Sequence, residues 1–497
     1  MVKYSNLTGE GETLLPNPLL NPSLLNSPII FLLAKQYAGK LLLREEISID
    51  STVFDILVTN RLFMKLDAMQ VSMRKLKCMR CQGEDKHFFA QIDCARCGSR
   101  HEYCRNCIQM GRVLRCAKLY YWNGPVFPWP RHEKACKWEG KLTLAQSHAA
   151  KAMLDIIKEQ GKILCWAVTG AGKTEMIFPA IEKVVSAGQR VCIATPRTDV
   201  VRELFPRIQQ AFPNVTTQAL YGASEDKVGD AQIVVSTTHQ LFRYREAFSL
   251  MIVDEVDAFP YYYDETLQSA VKRASKTDAT TILLTATPRK DIKRKIKQRR
   301  LKVVFVPVRY HQQALPLPRT IYIAKLHQSL EQQHFPKKIK QWLINRSKPQ
   351  RQILFFAPTV VIANEYEATI RKVLLKLEYI REGTEVATVH AGDEARPEKI
   401  KAFRERQLGA LITTTILERG VTFPSIDVVI LNGSHHVFDE AALVQIAGRA
   451  GRSKDDPTGE VVIFHEGLTD DIVAALASIK QMNRRRTSFL KEWGDDN

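Results

Sequence analysis

The sequence predicts an α/β protein with two tandem parallel-sheet domains preceded by a small cysteine-rich lobe, and three observations predict it. From Thr143 onward, apolar runs of strand length alternate with helical patterns, as in βα units of a parallel sheet. The alternation comes in two series, separated by proline-rich sequence near Pro307 to Pro318. Three Cys-x-x-Cys pairs sit close together upstream of both series. At 497 residues the chain exceeds the roughly 250–300 at which a single core stops growing, so several domains are expected. Their expected bounds are 1–70 for a motif-free N-terminal region, 71–140 for the cysteine-rich lobe, 141–312 for the first sheet domain and 313–497 for the second.

Taken in chain order, Pro16, Pro18, Pro22 and Pro28 argue against long helices before Ile29. The apolar run Ile29 to Ala34 is too short to cross a bilayer, which takes about 20 residues. Met1-Val-Lys-Tyr-Ser lacks the basic and apolar regions of a secretory signal, so a cytosolic location is expected, with attachment to a membrane protein left open. The pairs Cys78/Cys81, Cys94/Cys97 and Cys104/Cys107 then read as zinc ligands rather than disulfides. A tetrahedral site takes four thiolates, so three pairs are one too many; with His87 and His101, eight ligands could fill two sites. An all-thiolate site leaves no open position, which favours a structural role. Eleven Lys/Arg against four Asp/Glu between Arg74 and Lys118 suit a nucleic-acid-binding lobe. Cys165 and Cys192 read as small core residues, and neither Cys116 nor Cys136 has a role legible in the sequence. Trp122, Pro125, Pro128, Trp129 and Pro130 form a stiff aromatic linker.

The first series of strands is Ile163–Val168, Val191–Ala194, Ile233–Val235, Leu250–Val253 and Ile282–Leu284. Thr169-Gly170-Ala171-Gly172-Lys173-Thr174 follows its first strand and precedes a helical stretch. There the glycines let backbone N–H groups turn inward around phosphate oxygens, and the helix N-terminus adds its positive end. Lys173 would neutralise the β- and γ-phosphates of ATP, and the Thr174 hydroxyl would ligate Mg²⁺. The eight-residue pattern begins with Ala167 rather than Gly. Asp254 and Glu255 end another strand; adjacent carboxylates there are costly to bury unless something positive sits between them. Asp254 would hold Mg²⁺, Glu255 would polarise the attacking water, and Asp257 would be a third acidic partner facing the other domain. Upstream, Gln146 of Leu142-Thr-Leu-Ala-Gln146 is placed to read adenine.

The second series is Ile353–Phe356, Val386–Val389, Ala410–Ile412, Val428–Leu431 and Val461–Phe464. After its strands comes Gln445-Ile-Ala-Gly448-Arg449-Ala-Gly451-Arg452. Arg449 and Arg452, three apart, would share a helix face, and an arginine brought to a γ-phosphate can be worth roughly 10³–10⁵ in rate. Gln445 belongs to the same catalytic set. A net charge of +19 suits a phosphate backbone as partner. Thr195-Pro-Arg197-Thr-Asp199, Ser236-Thr-Thr-His239 and Thr413-Thr-Thr-Ile-Leu-Glu418-Arg419-Gly420 follow strand ends and offer hydroxyls and arginines to such a strand. Thr285-Ala-Thr287 would couple them to the nucleotide. The segment Arg289 to Lys302, with nine Lys/Arg and one Asp, reads either as a solvated helix face or, from its place directly after the Thr285-Ala-Thr-Pro288 turn, as a further backbone contact.

Beyond these general motifs, Tyr103-Cys-Arg-Asn-Cys-Ile-Gln-Met-Gly-Arg112, Trp166-Ala-Val-Thr-Gly-Ala-Gly-Lys-Thr-Glu-Met176 and Cys192-Ile-Ala-Thr-Pro-Arg-Thr-Asp-Val-Val201 resemble the ComFA family of bacterial competence ATPases. So do Asp254-Glu-Val-Asp-Ala-Phe-Pro260 and Thr413-Thr-Thr-Ile-Leu-Glu-Arg-Gly-Val421, and the resemblance spans roughly residues 75 to 465. It implies two RecA-like domains of a superfamily 2 helicase-like ATPase, stimulated by single-stranded DNA and used in natural transformation. It implies zinc on Cys78, Cys81, Cys104 and Cys107, with Cys94 and Cys97 as alternative ligands that depart from the family's four-cysteine pattern. The expected partners are single-stranded DNA, the membrane DNA-uptake channel at the inner face of the cell membrane, and a phosphoribosyltransferase-like competence protein. A homo-oligomer stays open. Two other readings fit the motifs: a replication-restart or repair helicase, and a DNA-binding adaptor with weak ATPase.

Overall fold

Strands made of aliphatic residues on both faces must be covered on both faces, and both sheets meet that requirement with flanking helices. The computed structural model describes residues 27–72, 75–222, 224 and 229–493. Pro16, Pro18, Pro22 and Met1 to Ser5 lie outside the described residues; Pro28 opens the helix Pro28–Tyr37, a position that suits a residue without an N–H.

The first sheet has seven parallel strands in the order Thr217–Leu220, Ile233–Thr237, Val191–Thr195, Phe248–Val253, Ser275–Thr285, Lys162–Ala167, Lys302–Val306. The second has six, all parallel: Arg319–Tyr322, Val461–His465, Ile426–Ile430, Gln352–Phe356, Ala410–Thr413, Val386–Val389. These are the two RecA-like domains, and every apolar run read as a strand lies in one of them. Three strands escaped that reading: Thr217–Leu220, Lys302–Val306 and Arg319–Tyr322. Each closes an edge of its sheet and carries half-exposed residues; Thr217–Leu220 and Arg319–Tyr322 lack the continuous apolar run of a central strand, whereas Val303-Val-Phe-Val306 is such a run, masked by the proline-rich sequence that follows it. Along Gln352–Phe356 the inner face, Leu354 and Phe356, joins the core that includes the first domain, while Ile353 and Phe355 join a separate core on the outer face.

The N-terminal part has its own antiparallel sheet, in which Lys118–Trp122 lies between Leu42–Leu43 and Phe63–Asp67. The helices Pro28–Tyr37 and Ser51–Thr59 cover it, with Ile30, Tyr37, Phe54, Phe63 and Trp122 in one small core. The cysteine-rich hairpins Met69–Ser72/Lys75–Cys78 and Phe89–Asp93/Arg100–Cys104 are therefore an insertion between two paired strands. A seam of arginines fastens this part to the first RecA-like domain. Arg273 donates to Tyr244 O at 3.1 Å, to Phe242 O at 2.7 Å and to Arg80 O, and Arg80 and Arg243 share the Glu46 carboxylate at 2.7 and 3.0 Å. The aromatic linker lies against the same domain: Gln232 Nε2 donates to Pro130 O at 3.0 Å, and the Arg190 guanidinium sits 4.9 Å from the Trp129 ring centre. At the other end, the helix Asp470–Trp493 spans both domains, with Asn483 bonding both backbone groups of Leu315 and Arg485 stacking 3.7 Å over Phe305. No helix among the described residues is long and apolar enough to cross a membrane.

Candidate functional site

The C-terminal ends of parallel strands from both sheets face one cleft, and side chains from six loops meet there. After Lys162–Ala167 the chain turns through Gly170 (φ +79°) and Gly172 (φ +72°), and a helix starts at Lys173. A side chain at either glycine would be strained, and a Cβ at Gly172 would meet Gln146 Nε2 at 2.3 Å. Gln146 braces this loop. Its Nε2 donates to Ala171 O at 2.9 Å and to Gly172 O at 3.3 Å, while its Oε1 accepts from Thr143 N at 2.8 Å in a capping box. Both ends of the amide are thus engaged by protein, and contact with an adenine would require a realignment.

Lys173 Nζ lies 3.4 Å from Asp254 Oδ1. Burial opposes the Lys173 charge, but Asp254, Glu255 and Asp257 outweigh it and hold the ammonium above its usual pKa. Asp254 accepts from the Glu255 N–H at 2.8 Å. Glu255 occupies the left-handed region at φ +54°, a conformation that costs about 1–3 kcal/mol in a non-glycine residue. Burial raises its pKa, against the opposing pull of Arg419. Glu255 Oε2, Thr169 Oγ1 and Thr195 Oγ1 are buried without a hydrogen-bond partner, an arrangement suited to ligand oxygens and a water. The turned-in glycines, the free hydroxyl and the cation beside two carboxylates fit a nucleotide phosphate with a divalent ion, which Thr174 and Asp254 would hold.

The second domain closes directly on this loop. A Cβ at Gly448 would meet Thr169 Oγ1 at 1.9 Å, so only glycine allows the approach. Arg309, in the proline-rich connection, binds Thr169 O at 3.2 Å on one side and Gly448 O, Ala450 O and Gly451 O at 2.7–2.9 Å on the other. Arg309 is 1 % exposed and has no carboxylate partner among the described residues, and burial lowers its pKa. Sequence reasoning missed Arg309, because a lone arginine in a connection carries no motif. Gln445 Nε2 reaches Thr287 Oγ1 at 3.4 Å across the cleft.

Asp257 is fully buried at the centre of a relay. Thr285 Oγ1 and Thr287 Oγ1 both donate to it, and Arg419 of the second domain pairs with it. Burial alone would raise the carboxyl, but Arg419 and the two hydroxyls hold it at about 2. The same guanidinium sits 3.9 Å from Glu255 Oε1. Arg419 was expected on a nucleic-acid track; the fold puts it in the interdomain core instead. Arg197 and Asp199, expected on the same track, also face the second domain: Arg197 Nη2 donates to Ile416 O at 3.0 Å, and Asp199 pairs with Arg396.

Arg449 and Arg452 follow the end of the helix Glu440–Ala447 and rest on backbone carbonyls of their own domain. Arg449 donates to Glu418 O at 3.0 Å and to Val421 O, and Arg452 to Gly448 O at 3.0 Å. Burial lowers both pKa values, and both guanidiniums feel the Glu255 charge. The acceptors they rest on are neutral.

In the inserted lobe, Cys78, Cys81, Cys104 and Cys107 are all buried, with sulfurs within 4.8 Å of one another. Cys78 and Cys107 are 3.8 Å apart and Cys81 and Cys104 3.6 Å, far beyond a disulfide of about 2.05 Å. Tetrahedral thiolates about 2.3 Å from zinc stand about 3.8 Å apart, so these four donors fit that ion. Cys94 and Cys97 are not part of this group, and His87 is exposed and joins neither cysteine cluster.

The comparisons with known proteins agree with this geometry. Residues 29–121 match the model of the competence protein ComFA N-terminal domain, 143–295 that of the DEAD/DEAH box helicase, and 333–454 that of the helicase conserved C-terminal domain. The chain is 41% identical over 444 residues to competence protein ComFA of Bacillus subtilis (strain 168), covering 89% of this chain and 93% of that protein. It is 36% identical over 449 residues to competence protein ComFA of Streptococcus pneumoniae (strain ATCC BAA-255 / R6), covering 90% and 98%. Among solved structures, Mycobacterium smegmatis helicase Lhr bound to ssDNA and AMP-PNP superimposes with a TM-score of 0.51 at 16% identity, covering 69% of this chain and 50% of that one; it shares the fold.

Proposed function

The chain belongs to the ComFA family of competence proteins and is an ATP-hydrolysing enzyme of the helicase class, and from that premise we propose that it is a single-stranded DNA translocase that drives uptake of transforming DNA. The observation that carries this reading is the contact of the second domain with the phosphate loop, through Gly448 on Thr169 and Arg309 between them. A nucleotide bound by this loop feels the position of the second domain, which is what coupling of hydrolysis to movement requires.

In this reading Thr169, Gly170, Ala171, Gly172, Lys173 and Thr174 hold the triphosphate, and Gln146 follows the adenine. Magnesium, on Thr174 and Asp254, supplies charge neutralisation. Glu255 orients the attacking water and accepts its proton. Its unpartnered Oε2 and raised pKa suit that task. Arg449 and Arg452 exchange backbone carbonyls for the developing negative charge on the phosphoryl group. Gln445 and Arg419 report the state of Thr287 and Asp257 to the second domain. Exposed Phe259 and Tyr263, just beyond the Asp257 loop, offer rings on which unpaired bases can stack. Zinc on Cys78, Cys81, Cys104 and Cys107 holds the basic lobe in shape. The membrane channel at the inner face of the cell membrane and a phosphoribosyltransferase-like protein are the proposed partners.

The test is ATP turnover with single-stranded DNA, duplex DNA and RNA, together with strand displacement. Single-stranded DNA should stimulate turnover most, without separation of duplexes. Lys173→Ala should abolish stimulated turnover while strand binding persists. Equal stimulation by duplex, or efficient unwinding, would favour a repair helicase and overturn the uptake reading.

A further inference from the structure

We propose a second metal site at the tip of the cysteine-rich hairpin, in which Cys94, Cys97 and Cys116 bind zinc as thiolates and His101 completes the tetrahedron. The three sulfurs lie within 4.8 Å of one another, apart from the four-cysteine group. Cys94 Sγ and Cys116 Sγ are 3.7 Å apart, which is the separation of neighbouring thiolates on a tetrahedral zinc at about 2.3 Å and not that of a disulfide. His101 Nε2 approaches Cys97 Sγ at 3.1 Å but stands outside the three-sulfur group, so in this proposal its ring turns toward them on metal binding.

The backbone supports this assignment independently of the sulfurs. Around Cys78, the Gln82 N–H donates to Cys78 O at 2.8 Å, the Cys78 N–H to Gly83 O at 3.0 Å, and Gln82 has φ +65°. Around Cys94 the same knuckle recurs. Gly98 N–H donates to Cys94 O at 2.8 Å, Cys94 N–H to Ser99 O at 2.9 Å, and Gly98 has φ +68°. In both, the second cysteine comes three residues after the first and the left-handed residue one later. This turn aims two sulfurs at one point, and in the buried group that point is the proposed zinc.

The remaining two ligands arrive from a strand and from the turn that follows its bridged neighbour. His101 lies on Arg100–Cys104, and the segment beyond Val113 runs antiparallel beside it, with Tyr103 opposite Leu114 and Arg115 N–H donating to Glu102 O at 2.9 Å. Just past that bridge the chain turns, with Ala117 N–H donating to Leu114 O at 3.0 Å, and the turn carries Cys116 to the knuckle, its sulfur 3.7 Å from that of Cys94. Cys116, which has no role legible in the sequence, thus gains one. The hairpin also needs such a tie. A lone two-stranded hairpin is marginal in water, and residues 95–100 are all exposed. Because Cys97 is exposed while the other group is buried, the outer metal should leave first.

The test uses the full chain purified under reducing conditions. Native mass spectrometry and elemental analysis should find two zinc ions per chain, with one removed by chelator much faster than the other. Cys97→Ser/Cys116→Ser should hold one zinc and keep basal ATP turnover. His101→Ala should speed release of the outer ion at least tenfold; unchanged release refutes His101 as the fourth ligand. Should the double variant not fold, alkylation of the wild-type protein decides. Protection of Cys94, Cys97 and Cys116 that chelation abolishes, while Cys78 and Cys107 stay protected, supports the site. One zinc per chain, with those three thiols freely reactive in zinc-replete protein, overturns it.

Discussion

Glu255 carries a left-handed backbone, burial and an oxygen without a partner in a single side chain. A residue serving only stability would shed all three, so each points to chemistry. The sign of its titration follows from burial. With the folded pKa raised, the neutral form is favoured, and whatever stability this lends below the ordinary value of about 4.3 is lost as pH rises through the folded pKa. Near neutral pH the ionised carboxylate therefore weighs against folding. Glu255→Gln should abolish DNA-stimulated turnover while leaving the melting temperature equal to or a few degrees above that of the parent chain. The acid limb of kcat in the parent should lie above pH 4.3. A large loss of stability in the variant, or a limb at or below that pH, would contradict the assignment.

Among elements, the decisive join is between the loop after Phe248–Val253, the Thr285-Ala-Thr287 turn and the Thr415–Glu418 loop of the second domain. Asp257 and Arg419 meet there with 0 % and 2 % side-chain exposure. Removing one partner strands a buried charge, at a cost of about 3–5 kcal/mol, whereas removing both costs less. Arg419→Ala should therefore open the two domains, seen as faster proteolysis of the connection near Arg309, and should lower turnover more than tenfold. Asp257→Asn added to it should recover part of the stability; a double variant no more stable than Arg419→Ala would show that the pair is not coupled. Asp257, held at about 2, contributes stability that is present above the ordinary carboxylate pKa and is lost only as pH falls towards 2. The join should thus persist well below the pH at which Glu255 stops working.

Across the whole molecule, a net charge of +19 is spread over the inserted lobe, the Arg289–Lys302 segment and the last helix. Part of the basic segment serves closure: Arg289 pairs with Asp439 at 2.6 Å and Lys293 with Glu440 at 2.8 Å. Arg294, Lys297, Arg299 and Arg300 stay exposed and carry no ion pair among the described residues, which leaves them for phosphates. Single-stranded DNA affinity should fall with salt at a log–log slope of about −0.7 per phosphate contacted. Replacing these four by Gln should flatten that slope by about two units or more while basal turnover persists. An unchanged slope would place the strand elsewhere.

Sequence alone determined the two sheets, their order and the phosphate loop with its acidic pair, because strand burial and the cradling of phosphates depend on residues adjacent in the chain. The edge strands Thr217–Leu220 and Arg319–Tyr322 were not legible, since each lacks a continuous apolar run, whereas the edge strand Val386–Val389 was. Arg309, the interdomain place of Arg419 and the approach of Cys116 to Cys94 were decided by tertiary structure. Arg309 and Arg419 bind partners more than 130 residues away, and Cys116 reaches Cys94 from 22 residues further along the chain. Such contacts arise when two separately folded surfaces are brought together, and they leave no spacing or periodicity in the chain that makes them.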